Sequence, residues 1–209
     1  MTSSAARTPG VARFFEKFAH AGAMPVAIAS LAVGLAAGAA ALTGIIGAPE
    51  AQGLFGACLA LIVLTIALED WRQFRIPDSL SGAAVVLGLL YAVVEQPSAV
   101  VEVLTTTIVR GLLMALLLLA VRDVYARVRG RQGLGLGDVK LAGVAGIWLD
   151  WLMLPIVIEI AAVAALSVFI VRRWVLGQPV KATSRIPFGL FLAPAIWICW
   201  VLEIRLAPV

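Results

Sequence analysis

The sequence has few charged residues, only two cysteines and a single histidine. Charged residues make up 13% of the 209 positions, against about 25% in a soluble globular domain. This shortage excludes a soluble enzyme and a disordered chain. Cys58 and Cys199 lie in apolar stretches, without a Cys-x-x-Cys pair or a Cys/His cluster. We therefore expect no disulfide framework, no metal site and no cofactor.

Apolar residues dominate instead, at 62% of the chain. A membrane-spanning helix needs about 20 mainly apolar residues. The sequence predicts an all-α fold, a polytopic membrane bundle of about seven transmembrane helices within residues 25–209. Residues 1–24 are expected to form an N-terminal cytoplasmic or interfacial tail. The apolar stretches run over residues 25–46, 53–68, 80–94, 103–121, 139–152, 155–171 and 188–202.

The basic residues predict the orientation of these spans. With a cytoplasmic N-terminus, every lysine and arginine except Arg110 and Arg205 falls on the cytoplasmic side. Loops that stay in the cytoplasm are enriched in lysine and arginine. The net charge of +4 is thereby explained by membrane topology, and we expect no nucleic-acid partner. The opposite loops carry acidic residues, namely Glu50, Glu95, Glu102 and Asp150.

Two aspartates are predicted to meet at the cytoplasmic boundary. Asp70 follows the second span and Asp138 precedes the fifth. Ionisable groups at such depth are costly and usually functional. A carboxyl pair that shares a proton is the chemistry of an aspartic protease, in which one acid activates water and the other polarises the scissile carbonyl. Because helix ends carry opposite partial charges, we expect a protonated Asp70 at a C-terminal end and an ionised Asp138 at an N-terminal end.

A different class of protein could also use buried acids. A small proton-coupled membrane transporter would relay protons through them. In transporters such acids lie more often near the midplane, inside interrupted helices of an internal repeat. Here the paired acids cluster at one face, and no repeat at a fixed period is visible. The transporter is therefore the alternative to the protease.

Three segments resemble the signatures of the type IV prepilin peptidases. Residues 70–78, DWRQFRIPD, resemble the first signature, an aspartate followed by an Ile-Pro-Asn/Asp triplet. Residues 135–141, GLGDVKL, match the pattern GxGDxKL of the second. Residues 184–193, SRIPFGLFLA, are similar to the third, IPFGPFLA, with Leu190 where proline is usual. The resemblance covers the chain from about residue 65 to its end.

The resemblance implies an aspartic endopeptidase of the bacterial inner (cytoplasmic) membrane. Its partners would be the lipid bilayer and a prepilin or pseudopilin precursor, of the type IV or Flp type, whose leader is removed at the cytoplasmic face. Long members also carry two CxxC pairs and methylate the new N-terminus, and no residues here match that region. We therefore expect cleavage without N-methylation. Carried over by position, the catalytic pair is Asp70 and Asp138, and the supporting residues are Gly135, Gly137, Lys140, Pro77, Asp78, Pro187 and Gly189.

Some supporting residues have ordinary structural explanations. Asp78 follows Pro77 at a predicted helix start, where a short acid caps free backbone N–H groups. Gly189 would let two helices pack closely. For Lys140 two roles stay open: tuning a carboxylate or binding substrate, and extending to the membrane interface.

Two further expectations concern the outer half of the bundle. Arg110 and Glu159 are the ionisable residues deepest in apolar stretches. An isolated charge there costs about 2.5–3.5 kcal/mol on insertion scales, so we expect them to pair or to share a water-filled cavity. Tryptophans near the predicted outer ends are typical of an interfacial belt; these are Trp148, Trp151, Trp197 and Trp200.

Overall fold

A computed structural model describes residues 50–130, 133–170 and 188–206. Every element in those ranges is a helix or a short connection, and each helix coincides with a predicted apolar stretch. The all-α membrane class is therefore confirmed. The tail over residues 1–24 and the first predicted span, 25–46, lie outside the described residues. The helices are α1 (Glu50–Gln73), α2 (Asp78–Glu95), α3 (Val100–Arg129), α4 (Leu136–Trp148), α5 (Met153–Ile170) and α6 (Gly189–Leu206).

Local backbone geometry sets several of these helix ends. Helix α1 ends at Gln73 because Phe74 adopts a left-handed conformation with φ of 51°. Helix α2 begins after Pro77, whose extended backbone (φ −64°, ψ 134°) cannot continue a helix. Gly130 ends α3 with φ of 64°, a conformation that glycine adopts at little cost. The connection between α1 and α2 is thus a tight turn next to Asp70.

Helix α4 lies at the centre of the described bundle and contacts α2, α3, α5 and α6. Its 13 residues extend for about 20 Å, less than the roughly 30 Å of a bilayer's hydrocarbon core. The other five described helices are long and apolar enough to cross a membrane. The fifth predicted stretch was too long at its outer end, because Leu149 is extended (φ −115°, ψ 148°) and stops α4 at Trp148. By length alone, at least one end of α4 is recessed from the membrane surface.

The prediction of an interfacial tryptophan belt is wrong for Trp148 and Trp200. Both are buried, with exposed fractions of 3% and 2%, and their rings meet edge to face with centroids 5.9 Å apart. Trp200 packs over Gly56 and Trp148 over Gly88. Because glycine has no side chain, these two positions leave room for the indole rings in the core.

The predicted pairing of Arg110 with Glu159 is also wrong. Arg110 is 8% exposed; its Nε donates to the Gly146 carbonyl oxygen (2.7 Å), and its Nη1 pairs with the Asp150 carboxylate. Helix α3 packs on α4, and among the described helices it makes no packing contact with α5, which carries Glu159. Glu159 is exposed on α5. The charge of Arg110 is thus balanced from the end of α4.

We expect Asp150→Asn to destabilise the protein, because it removes the carboxylate that is paired with the buried Arg110. The expected loss is about 1 kcal/mol, since the exposure of Asp150 reduces the value of a charged hydrogen bond. Thermal unfolding in detergent measures it. Adding Arg110→Met to Asp150→Asn should recover part of the loss, whereas Glu159→Gln should have little effect. Equal destabilisation by Asp150→Asn and Glu159→Gln would contradict the pairing.

Candidate active site

The structure brings Asp70 and Asp138 together at one end of the bundle. Asp70 lies in the last turn of α1, and Asp138 is the third residue of α4. They are only 6% and 9% exposed, and no other carboxyl group among the described side chains is buried. Asp70 is close enough to act electrostatically on Asp138. Two buried carboxyl groups that lie near each other can share a proton.

Each of these carboxylates accepts a hydrogen bond from the backbone at a helix start. The Gly135 N–H donates to Asp138 Oδ2 (3.1 Å), and the Leu190 N–H donates to Asp70 Oδ2 (3.0 Å). The backbone of Gly189 faces both carboxyl groups. Asp70 does lie at the C-terminal end of its own helix, but it also faces the N-terminal end of α6. The electrostatic contrast between the two acids is therefore smaller than the sequence predicts.

One apolar side chain, Ile76, connects the three sequence signatures. It is 6% exposed and packs against Gly137 and Gly189. A Cβ at Gly137 would lie 2.9 Å from Ile76 Cδ1, and a Cβ at Gly189 would lie 2.8 Å from the same atom and 2.8 Å from Asp70 Oδ2. Gly189 thus makes room for a carboxylate and an isoleucine, which is a different reason from the helix packing that we predicted.

The turn between Asp70 and Ile76 contains a strained residue. Phe74 is the one residue other than glycine with positive φ in the described ranges, and its N–H donates to the Asp70 carbonyl oxygen (2.9 Å). A left-handed conformation costs a residue with a Cβ roughly 1–2 kcal/mol. The Phe74 side chain is 56% exposed, so burial of its ring does not account for the strain. The turn directs the chain from Asp70 back to Ile76 against the two glycines.

The chain is similar in sequence to proteins of one known family. Residues 57–170, which include both aspartates, match the family model described as Type IV leader peptidase family. The chain belongs to this family. It is 36% identical over 160 residues to a prepilin leader peptidase/N-methyltransferase of Burkholderia pseudomallei, covering 76% of this chain and 48% of that protein. It is 30% identical over 139 residues to the leader peptidase HopD of Escherichia coli, covering 66% and 84%.

The leader peptidase relatives differ from the chain in length. The chain spans about half the length of the Burkholderia protein and 84% of HopD. No solved structure matches it. Family membership together with the five long apolar helices makes it a multi-pass membrane protein.

Near the aspartate pair, Asp78 and Lys140 form an ion pair. Pro77 is the N-cap residue of α2, and that cap has no side-chain hydrogen bond. The capping role predicted for Asp78 is therefore not what the structure shows. Lys140 pairs with Asp78 at an exposed position, a contact that neither of the two roles left open for Lys140 had named. Pro187, also named from the sequence, lies outside the described residues.

The C-terminal end of α3 holds the loop that leads to Asp138. Arg122 Nε donates to the Leu134 carbonyl oxygen (3.2 Å), and the Tyr125 ring packs over Gly133. Leu134 directly precedes Gly135, whose N–H binds Asp138. The sequence predicted only a topological role for Arg122. Every residue has a backbone carbonyl, so the sequence does not indicate which one accepts from Arg122.

Proposed function

We propose that the chain is a membrane aspartic endopeptidase that removes the leader of prepilin-like precursors, with Asp70 and Asp138 as its catalytic pair. The observation that carries the proposal is the pair itself. These are the two buried carboxyl groups among the described side chains, and they meet at one end of the bundle in a member of the type IV leader peptidase family. Curated relatives are named as prepilin leader peptidases.

The chemistry follows from the shared proton. The ionised acid takes a proton from water, and the resulting hydroxide attacks the scissile carbonyl while the protonated acid donates to the carbonyl oxygen. A proton then passes to the leaving amine as the tetrahedral intermediate collapses. The N–H groups of Gly135 and Leu190 fix the orientation of the two carboxylates. Burial keeps bulk water away from the intermediate.

For substrate and setting, the proposal is a prepilin or pseudopilin precursor, cut at the cytoplasmic face of a bacterial inner membrane, without N-methylation. Co-expression with candidate precursors, followed by intact-mass measurement of the product, tests each part. The expected product has lost its leader and lacks the mass of an added methyl group. A precursor set in which no leader is removed would overturn the proposal, provided that the protein is found folded in the membrane.

The proposed orientation can be tested on the described loops. Ser98 lies between α2 and α3, and Gly130 follows α3. We expect reporter fusions to read external at Ser98 and cytoplasmic at Gly130, on the side of Arg127 and Arg129. The reverse pattern would place the aspartates at the outer face and contradict the orientation.

The hydrogen bond from Leu190 to Asp70 gives a matched pair of variants. Leu190 is the second residue of α6, and proline is tolerated in the first turn of a helix. Leu190→Pro introduces the residue that is usual at this position of the third signature and removes the N–H donor, whereas Leu190→Ala keeps it. We expect Leu190→Pro to lower kcat by about fivefold, the value of one hydrogen bond of about 1 kcal/mol, and Leu190→Ala to leave it nearly unchanged. Equal kcat values for the two variants would show that the donor does not assist Asp70.

A further inference from the structure

The geometry points to Ile76 as a positioning residue that sets the distance between the two catalytic carboxylates, an inference that rests on the proposed function. Ile76 lies in the connection between α1 and α2. Its side chain packs against Gly137 at the start of α4 and against Gly189 at the start of α6. No role in chemistry is assigned to it, since its side chain is a hydrocarbon. Its action is to keep the starts of α4 and α6 a fixed distance apart.

The contacts of Ile76 leave no free space on either side. At Gly137, an added Cβ would meet Ile76 Cδ1, Cγ1 and Cβ at 2.9, 3.0 and 3.1 Å. At Gly189, it would meet Ile76 Cδ1 at 2.8 Å. Carbon atoms that are not bonded to each other pack at about 3.5–4.0 Å. Ile76 therefore occupies the room left by two residues that have no Cβ.

Each glycine that contacts Ile76 is next in sequence to a residue that either carries a catalytic carboxylate or donates a hydrogen bond to one. Gly137 directly precedes Asp138. Gly189 directly precedes Leu190, whose N–H binds Asp70. Ile76 itself reaches this position through the left-handed turn at Phe74. A change in the size of the Ile76 side chain is therefore transmitted to both carboxylates, and a displacement of about 1 Å at reacting groups can cost about 100-fold in rate.

The two glycines differ in what an added methyl group would strike. The three nearest atoms to a Cβ at Gly137 all belong to Ile76. A Cβ at Gly189 would also strike Asp70 directly, at 2.8 Å from Oδ2 and 3.1 Å from Cγ. Shortening Ile76 to alanine removes two of the three close contacts at Gly137 and leaves Ile76 Cβ at 3.1 Å, so it should partly relieve a methyl group at Gly137 but not one at Gly189. We expect this difference between the two glycine variants only if the Ile76 side chain lies between Gly137 and Gly189.

The test uses double-mutant cycles on the full-length protein in detergent, with kcat and KM measured on a precursor that it cleaves. We expect Ile76→Ala to lower kcat by about 10- to 100-fold with little change in KM. Ile76→Val lacks the Cδ1 atom that meets both glycines and should lower kcat by a smaller factor. Gly137→Ala and Gly189→Ala should both be slow. Gly137→Ala combined with Ile76→Ala should be faster than Gly137→Ala alone. Gly189→Ala combined with Ile76→Ala should be no faster than Gly189→Ala.

Val63→Ala is the matched control, because Val63 is buried in α1 at 1% exposure but is not among the nearest atoms to either glycine. It should lower thermal stability, keep kcat and fail to rescue Gly137→Ala. Rescue by Val63→Ala, or full kcat in Ile76→Ala, would overturn the inference. If Ile76→Ala does not fold, the kcat of Ile76→Val decides: a value below that of Val63→Ala supports positioning, and an equal value overturns it. Undiminished activity in both Asp70→Asn and Asp138→Asn would instead overturn the proposed function.

Discussion

Asp70→Asn and Asp138→Asn are each expected to lower the rate of leader cleavage by about 10²–10⁴-fold, the usual contribution of a general acid or base. Asparagine is the appropriate substitution because it keeps a carbonyl oxygen in place. That oxygen can still accept the hydrogen bond from Leu190 at position 70 or from Gly135 at position 138. The variant therefore loses the proton chemistry and retains the local structure. Cleavage of a co-expressed precursor, measured as the fraction processed over time, gives the rate.

Asp138→Ala tests the contribution of Asp138 to stability as well as to activity. Asp138 closes the first turn of α4 by accepting from its N-cap residue, and loss of such an interaction costs about 0.5–2 kcal/mol. Asp138→Ala should thus reduce both stability and activity, whereas Asp138→Asn should reduce activity alone. Asp123→Asn, at an exposed position near the C-terminal end of α3, is the control and should cleave normally. Substantial cleavage by both asparagine variants would show that the pair has no catalytic role.

The position of the aspartate pair could be predicted from the sequence because it depends on few quantities. The lengths of the apolar stretches predict how often the chain crosses the membrane, and two helices, α2 and α3, lie between the two aspartates. Together these bring residue 70 and residue 138 to the same side. A shift of three to five residues at a helix end does not alter that result. The structure shows shifts of this size at both ends of α1 and at the C-terminal end of α4.

The contacts of individual side chains could not be predicted in the same way. Arg110 pairs with Asp150 because glycines let α3 and α4 approach closely, and helical periodicity does not report which helices are neighbours. The indole of Trp148 is buried for a similar reason, over Gly88. The donor to Asp70 is a backbone N–H, which every residue except proline possesses. Sequence patterns thus locate groups along the chain, while packing decides their partners.

Gly146→Ala is the second substitution with a large expected effect, because Gly146 lies where the backbones of α4 and α3 are in close contact. A Cβ there would lie 2.7 Å from the Arg110 carbonyl oxygen, 2.9 Å from its carbon and 2.8 Å from Gly111 Cα. These are backbone atoms, so no side-chain rotation can relieve the overlap. Gly146→Ala must move α4 away from α3 and weaken the hydrogen bond from Arg110 to the Gly146 carbonyl. Overpacking of this kind costs about 1–3 kcal/mol.

Gly143, one turn earlier on α4, provides the control. A Cβ at Gly143 would meet Ala115 Cβ at 3.5 Å and the Gly111 carbonyl oxygen at 3.6 Å, which is ordinary contact. Alanine is favoured over glycine in a helix by about 1 kcal/mol, so Gly143→Ala should be neutral or slightly stabilising. Gly146→Ala should lower the thermal midpoint in detergent by about 2–10 °C, and it should also slow cleavage because Asp138 moves with α4. Equal midpoints for the two variants would mean that α3 and α4 are not held in backbone contact at Gly146.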